Sequence, residues 1–338
     1  MNGRILHTFA LASVSAAALL VTAPADAGLF RAYLSQNGND LNPCTVQQPC
    51  RLLPAALNAI NDGGEIWIVD SANYNTAPVE ITKSVTILAI PGALGSIVAS
   101  GGDAIDIATA NVRVVLRNLV ILEFNAGANG INFSNGTRLA VEDCEIYGIP
   151  QDAIHVTSAT GSGLDIKNTT IHNVGGAGIS IAGSASSGVT AALEHVSVFS
   201  SNGGVAVSSS ASVTLSDSLI SNTNTGVLAS ESGGGGTRMT IVNSVIRSST
   251  TGIQLTSPTA SDTVRLTLSR STLAHNPLGI DVQSPSGDAK ATLDDNVIQN
   301  DSTAINLNGG IVFTRGNNTL NFSTNGIVGG SLTALGGV

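Results

Sequence analysis

The stretch Thr237–Ile253, TRMTIVNSVIRSSTTGI, constrains this chain more than any other. It alternates apolar and polar residues, places an Asn at a corner, adds a second short apolar run, crosses a polar turn and ends on Gly-Ile. The same pattern is written about nine times between Val112 and Val338. Repetition at this period marks stacked units, because one unit alone cannot bury its apolar face.

Laid over one another, the repeats form columns. The corner column is Asn118, Asp143, Asn168, His195, Asp217, Asn243, Arg270, Asp295 and Asn317. Two residues before it the chain is aliphatic, from Leu116, Val141 and Ile166 to Leu293; three after it, from Ile121, Ile146 and Ile171 to Ile298. Strand alternation turns both columns inward, together with the residue just after the corner, from Leu119, Cys144 and Thr169 to Ser271. Later in each coil a small residue precedes an apolar one, as in Gly130-Ile131, Ala153-Ile154 and Gly252-Ile253. The corners read as the polar part of the core, where Asn and Asp tolerate the bend and each amide bonds to the next coil. A leucine-rich horseshoe would need a helical return in each repeat, and the returns here are Gly, Ser and Asn. The predicted fold is all-β: a single-stranded parallel β-helix, a solenoid of about ten coils, with a short N-terminal capping helix.

Composition agrees. Of 338 residues, 42% are hydrophobic, 11% charged and 3% aromatic, so a large core needs neither metals nor many disulfides. The formal charge is −9, with no basic tract or aromatic-basic patch, which argues against nucleic acid as a partner. An acidic chain also gains no long-range attraction for an anionic polymer.

The domain organisation reads as 1–27 signal peptide, 28–64 N-terminal cap and 65–338 β-helix. Arg4, the apolar run Ile5–Val21 and the A-x-A exit Ala25-Asp26-Ala27 carry the first assignment. No later stretch is apolar for long enough to span a bilayer, so a transmembrane anchor is not expected. The expected location is exported, periplasmic or extracellular, where Cys44 and Cys50 pair across CTVQQPC. In the cap, Leu52–Ile60 has helical apolar spacing and is closed by Gly63-Gly64; its expected task is to cover the open end of the first coil.

The helix-capped start, the coils of about 25 residues, the Asn corner and the aliphatic ladders resemble the right-handed, pectin-lyase-like parallel β-helix superfamily. Within it, the chain looks most like small exported bacterial β-helix repeat proteins. The resemblance covers nearly the whole chain after the signal segment and is specific for fold, since function lives in sites grafted on folds. The superfamily includes pectate lyases, polygalacturonases, pectin methylesterases and alginate epimerases. The polygalacturonase patterns N-T-D, D-D, G-H-G and R-I-K are not found as motifs. Asp294-Asp295 is a D-D pair at a corner, and His155 sits in A-I-H-V.

One group of outward residues carries polarity that the repeat does not need. Asp103, Asn129 and Asp152 precede the Gly-Ile column on successive coils, and Asp106, Asn132 and His155 follow it. Asp103, Asp106, Asp152 and His155 are the candidates for acid–base chemistry, and Asp103, Asp106 and Asp152 for a Ca²⁺ ion. Asn129, Asn132, Arg113 and Arg138 are the candidates for glycan contact. The superfamily resemblance implies an active groove on this kind of strand face. Arg113 and Arg138 open a basic column that would meet an acidic glycan or phosphate. Trp67, Tyr33, Tyr74 and Tyr147 are too scattered to show a sugar-stacking platform, and His172 and His195 read as turn and corner residues. The function expected is a noncatalytic envelope or extracellular scaffold, of an adhesion type that binds a polysaccharide or cell-surface glycan. The alternative is a polysaccharide-active lyase, hydrolase or epimerase with a diverged site on the Asp103–His155 face.

Overall fold

The computed structural model describes residues 28–75, 77–124, 127–157, 161–184, 187–321 and 323–335. The signal segment expected over residues 1–27 lies outside them. The described chain winds into one parallel solenoid, and every pairing between its strands is parallel. One sheet (sheet A) stacks thirteen strands in coil order, from Leu29–Leu34 to Thr333–Ala334. The expected ladder of about ten coils is there, preceded by less regular early turns. The second sheet (sheet B) has two facets. Leu119–Glu123 and Glu145–Tyr147 lie on one, Ile131–Phe133 and Ile154–Thr157 on the other. In the middle coils one long strand bends through both facets, as in Thr170–Ala182.

Register explains the columns. Val141 stacks on Leu116 and Ile166, and Ile146 on Ile121 and Ile171. Both aliphatic columns are buried along their whole length, as is the residue just after each corner from Leu119 to Ser271. Where that residue is polar it is tied into the stack. Ser244 Oγ accepts the backbone N–H of Ser218 at 3.2 Å, Ser271 Oγ that of Ser244 at 3.1 Å, and Asn296 Oδ1 that of Ser271 at 3.0 Å. A buried hydroxyl or amide is therefore paid for by the coil below it.

The corners differ from the expected polar core. Asp143, Asn168, Asn243 and Asp295 are exposed. What selects Asn and Asp is backbone conformation: φ is +54° at Asn118, +48° at Asn168 and +50° at Asn243, and the left-handed region is least costly for Gly, Asn and Asp. The stacking of corner side chains is partial. Asn168 Nδ2 donates to Asp143 Oδ1 at 3.0 Å, whereas Asn118 Nδ2 donates to the Ala89 carbonyl at 3.0 Å. A second left-handed column, Asn173, Ser200, Asn222, Ser248, His275 and Asn300, follows the six corners from Asn168 to Asp295 by five residues. The small-residue column has its own cause. At Gly204 a Cβ would stand 2.1 Å from the Gly226 carbonyl oxygen of the next coil.

At the N-terminal end the helix runs over Leu53–Ala59, within the predicted span, with Leu53, Ala56 and Leu57 buried in the common core. The Cys44–Cys50 disulfide is formed, with the Cα atoms 4.6 Å apart. Cys144 is buried, and burial pushes its thiol up to about 12, which leaves it unreactive. Among the described residues no helix is long and apolar enough to cross a membrane.

These contacts set an expected pair of outcomes in chemical denaturation. Ile246→Ala empties part of a fully buried ladder position and costs about 2–5 kcal/mol. Asn243→Val strains a left-handed corner and costs about 1–3 kcal/mol, whereas Asn243→Gly is tolerated.

Candidate functional site

The six polar residues singled out in the sequence do meet on one facet of sheet B. Strands Ile105–Ile107, Ile131–Phe133 and Ile154–Thr157 are neighbours in register, so Asp106, Asn132 and His155 form one outward row, with their apolar flanks turned inward. Glu80 extends the row by one coil, paired with Asp106. Beyond His155 the row continues as Ser180, Ala206 and Leu228.

A hydrogen-bond chain links these residues across coils. Asp103 Oδ1 accepts the backbone N–H and the side-chain amide of Asn129, both at 2.9 Å. Asn129 Oδ1 accepts the backbone N–H of Asp152 at 3.2 Å. Asp152 Oδ1 accepts the Ala177 N–H at 2.7 Å, and its Oδ2 holds His155 Nδ1 at 2.8 Å. Asn132 Nδ2 donates to Asp106 Oδ1 at 2.9 Å. Asn129 is 9% exposed, so the bridge between Asp103 and Asp152 is mostly shielded. The His155 side chain keeps 31% exposure. Its pKa is raised above the ordinary histidine value, first by the hydrogen bond to Asp152 and further by the charges of Asp152 and Asp103, against the effect of burial. With Nδ1 committed to Asp152, Nε2 is the nitrogen left to meet a ligand.

The carboxylates do not converge on a metal. Among the described residues no three His, Cys, Asp or Glu side chains gather at a spacing that could hold one. Asp103 and Asp106 spend an oxygen on Asn amides, and Asp152 spends both oxygens on protein donors. Among the described residues a Ca²⁺ donor set is therefore not assembled.

Sequence reading missed Glu123. The strand Leu119–Glu123 alternates inward and outward, and its last residue turns inward with Leu119 and Ile121. Glu123 is 7% exposed, and neither carboxylate oxygen has a hydrogen-bond partner among the described residues. A Cβ on Gly127 would collide with its carboxylate, so the missing side chain there makes its room. Burial, and after it the charge of Asp103, push the Glu123 pKa up to about 7. The alternation held the signal, since a Glu at an inward strand position is costly. Asp301 is a second such group. Its Oδ1 accepts the Asn276 N–H at 2.7 Å, its Oδ2 is unpartnered, and burial pushes it up to about 6.

Other candidates stand apart from this face. Arg113 and Arg138 are adjacent on sheet A, but Arg138 is bound to Asp165 at 2.7 Å, and Arg265 and Lys290 share Asp288 further along. The basic column is thus neutralised in part, at Arg138 and over the shared Asp288. The aromatic residues are less scattered than their sequence positions imply. Tyr147, His172 and Phe199 stack on successive coils, with centroids 5.0 and 5.1 Å apart and nearly parallel planes. His172 is a strand residue in that stack and not a turn residue, while His195 is a left-handed corner as expected. Rings stacked face to face cover one another's faces, so this column is read as a stabilising contact.

The two buried acids give stability a pH dependence. Their folded pKa values lie above their ordinary ones, so the stability they contribute is complete below about pH 4 and is lost as pH rises through about 6 to 7. At 1.36 kcal/mol per pKa unit, Glu123 alone accounts for roughly 3 kcal/mol. Thermal unfolding of Glu123→Gln should match the parent near pH 4 and exceed it at pH 8, with a flatter curve between.

With the geometry in view, the chain can be set beside known proteins. The family described as a right handed beta helix region matches residues 61–220. No curated protein matches the chain. Among solved structures, the complex of XylC with xylose superposes with a TM-score of 0.59 at 7% identity, covering 88% of this chain and 86% of that one. The A-module of the Azotobacter vinelandii mannuronan C-5 epimerase AlgE4 gives 0.60 at 10% identity, over 80% of this chain and 90% of that one. The pectate lyase Pel9A gives 0.53 at 14% identity, over 91% and 78%. Identities this low speak for architecture and leave activity to the site. The chain thus has the pectin-lyase-like right-handed parallel β-helix fold, one that is shared with polysaccharide-active enzymes.

Proposed function

We propose that the protein acts on a polysaccharide laid across the Asp103–His155 face, with His155 as the proton-transferring group and Asp152 as the residue that orients it. The observation that carries this is the Asp152–His155 pair: an imidazole held through Nδ1 at 2.8 Å, half-buried, on an outward strand row. A histidine so held is suited to take or give a proton at a sugar hydroxyl or ring carbon. The fold's likeness to XylC with xylose, an epimerase and a pectate lyase supports a saccharide over other ligands. The charge of the face supports a neutral sugar. Glu80, Asp106 and Asp152 line or adjoin the row with Asp103, and the row itself contains no Arg or Lys. Asn132 supplies an amide contact to such a ligand, and Asn129 holds the two aspartates in place behind it. Export to the periplasm or beyond is part of this reading, supported by the signal-like start and by the disulfide.

The scaffold reading draws on the regular ladders on either side of the face, and it makes a different prediction. The protein is incubated with neutral and uronate polysaccharides, and product formation and retention are followed. Turnover of a neutral polymer, reduced about 10²–10⁴-fold by His155→Ala and by Asp152→Asn, is the expected result. Retention of a polymer without turnover, unchanged in both variants, would favour the scaffold. No cleavage and no binding across the panel would reject both for those substrates.

A further inference from the structure

We propose that Gln254, Gln283 and Asn306, gathered around Asp281, form a second saccharide subsite that anchors the distal part of a neutral sugar chain whose near part lies at His155. The inference deepens the polysaccharide reading. It rests on that reading for the placement of the chain on this facet and not for proton transfer.

The outward row that holds His155 does not end at Leu228. It continues in register through Gln254, Asp281 and Asn306. Five strand steps of about 4.8 Å separate His155 from Asp281, roughly 24 Å along the rod. Asp281 belongs to the outward row and yet is 3% exposed, because amides close over it. Asn306 Nδ2 donates to its Oδ1 at 2.9 Å and Gln283 Nε2 to its Oδ2 at 2.7 Å, with a longer contact from Gln254 Nε2 at 3.5 Å. A carboxylate only accepts, so it sets the orientation of each amide: nitrogen toward Asp281, oxygen away from it. Among the described residues none of the three amide oxygens accepts a hydrogen bond. Three acceptors are thus held ready on half-buried side chains, and hydroxyl groups are the donors they match.

Between His155 and this cluster the face is hollow. Ala177, Gly203 and Ala206 have short side chains or none, and they help line a cavity of about 230 Å³. Leu228 gives it an apolar side, while Asn202 and Asn224, joined through Asn224 Nδ2 and Asn202 Oδ1, give it a polar one. The Ala177 N–H is bound to Asp152 at 2.7 Å, so the hollow adjoins the Asp152–His155 pair directly. Its lining carries no charge. An apolar surface beside fixed amides suits the C–H face and the hydroxyls of one neutral sugar ring. A chain that leaves His155 toward the C-terminal end of the facet therefore crosses a hollow of matching chemistry before it meets the amides around Asp281.

The test is calorimetric binding of xylo-, manno- and gluco-oligosaccharides of graded length to the whole chain. Affinity within one series should rise with length until the sugar spans the row. Gln283→Ala and Asn306→Ala should each weaken the longest member roughly 2–10-fold, the loss of a neutral hydrogen bond, and leave the shortest unchanged. Ala206→Trp, which fills the hollow, should abolish the rise with length. Thermal unfolding like that of the parent shows that the variants are folded, and Gln254→Ala serves if one is not. Equal affinity of parent and amide variants for the longest member overturns the proposal, whether or not a polymer is turned over, and so does failure of every series to bind. Length-dependent binding that is weakened in the amide variants and kept in His155→Ala, with no turnover by the parent, leaves the subsite standing and removes proton transfer at His155. Where turnover occurs, Gln283→Ala should act on long substrates through KM more than through kcat.

Discussion

Everything in this molecule depends on coil-on-coil register. Parallel strands fix each residue above its counterpart one turn earlier, so a single column must suit itself along the whole rod. Aliphatic side chains do this by packing, as in the continuous stack through Leu116, Val141 and Ile166. Polar ones do it by passing a hydrogen bond to the next coil, as Ser218, Ser244 and Ser271 do. In the column just before the corners, charged ones do it by alternating in sign. Arg117 Nε donates to Glu142 Oε2 at 2.8 Å, and Lys167 pairs with Glu194 at 3.2 Å. Each exposed pair contributes little, and the gain lies in avoiding like charges on adjacent rungs.

The candidate site is a place where this logic is strained. Glu80, Asp106, Asn132 and His155 follow one another on a row where two neighbouring carboxylates repel, and Asn132 is placed to bond one of them. Just inside, Glu123 stands five residues after its corner, where later coils place the left-handed Asn173, Ser200 or Asn222, and it is buried instead. Neither polarity is required by the ladder. Residues that break a local rule without a structural return are where function is expected. Asp301 breaks the same rule near the far end of the stack, but the Asn276 N–H partly satisfies it.

The comparison of sequence with structure is uneven for physical reasons. The aliphatic columns and the outward row were legible because strand period and repeat period are both short-range properties. The corners were legible in position, but their cause was misjudged: residues such as Asp143 and Asn243 are exposed, and backbone geometry chooses them. Tyr147, His172 and Phe199 could be aligned only once the 25- and 27-residue spacings were known to be one coil each. Arg138 read as free for an anion until Asp165 was found beside it.

The sequence by itself determined the solenoid, the inward ladders and the location of unneeded polarity, because each follows from the periodicity of side chains along a strand. Tertiary structure alone decided which of those polar groups touch. It tied Asp152 to His155, bridged Asp103 to Asp152 through Asn129, engaged one oxygen each of Asp103 and Asp106 and both of Asp152 with protein donors, and left Glu123 buried without a hydrogen-bond partner among the described residues. Those outcomes depend on which side chains come within hydrogen-bond distance, mostly across a full coil, which local pattern does not specify.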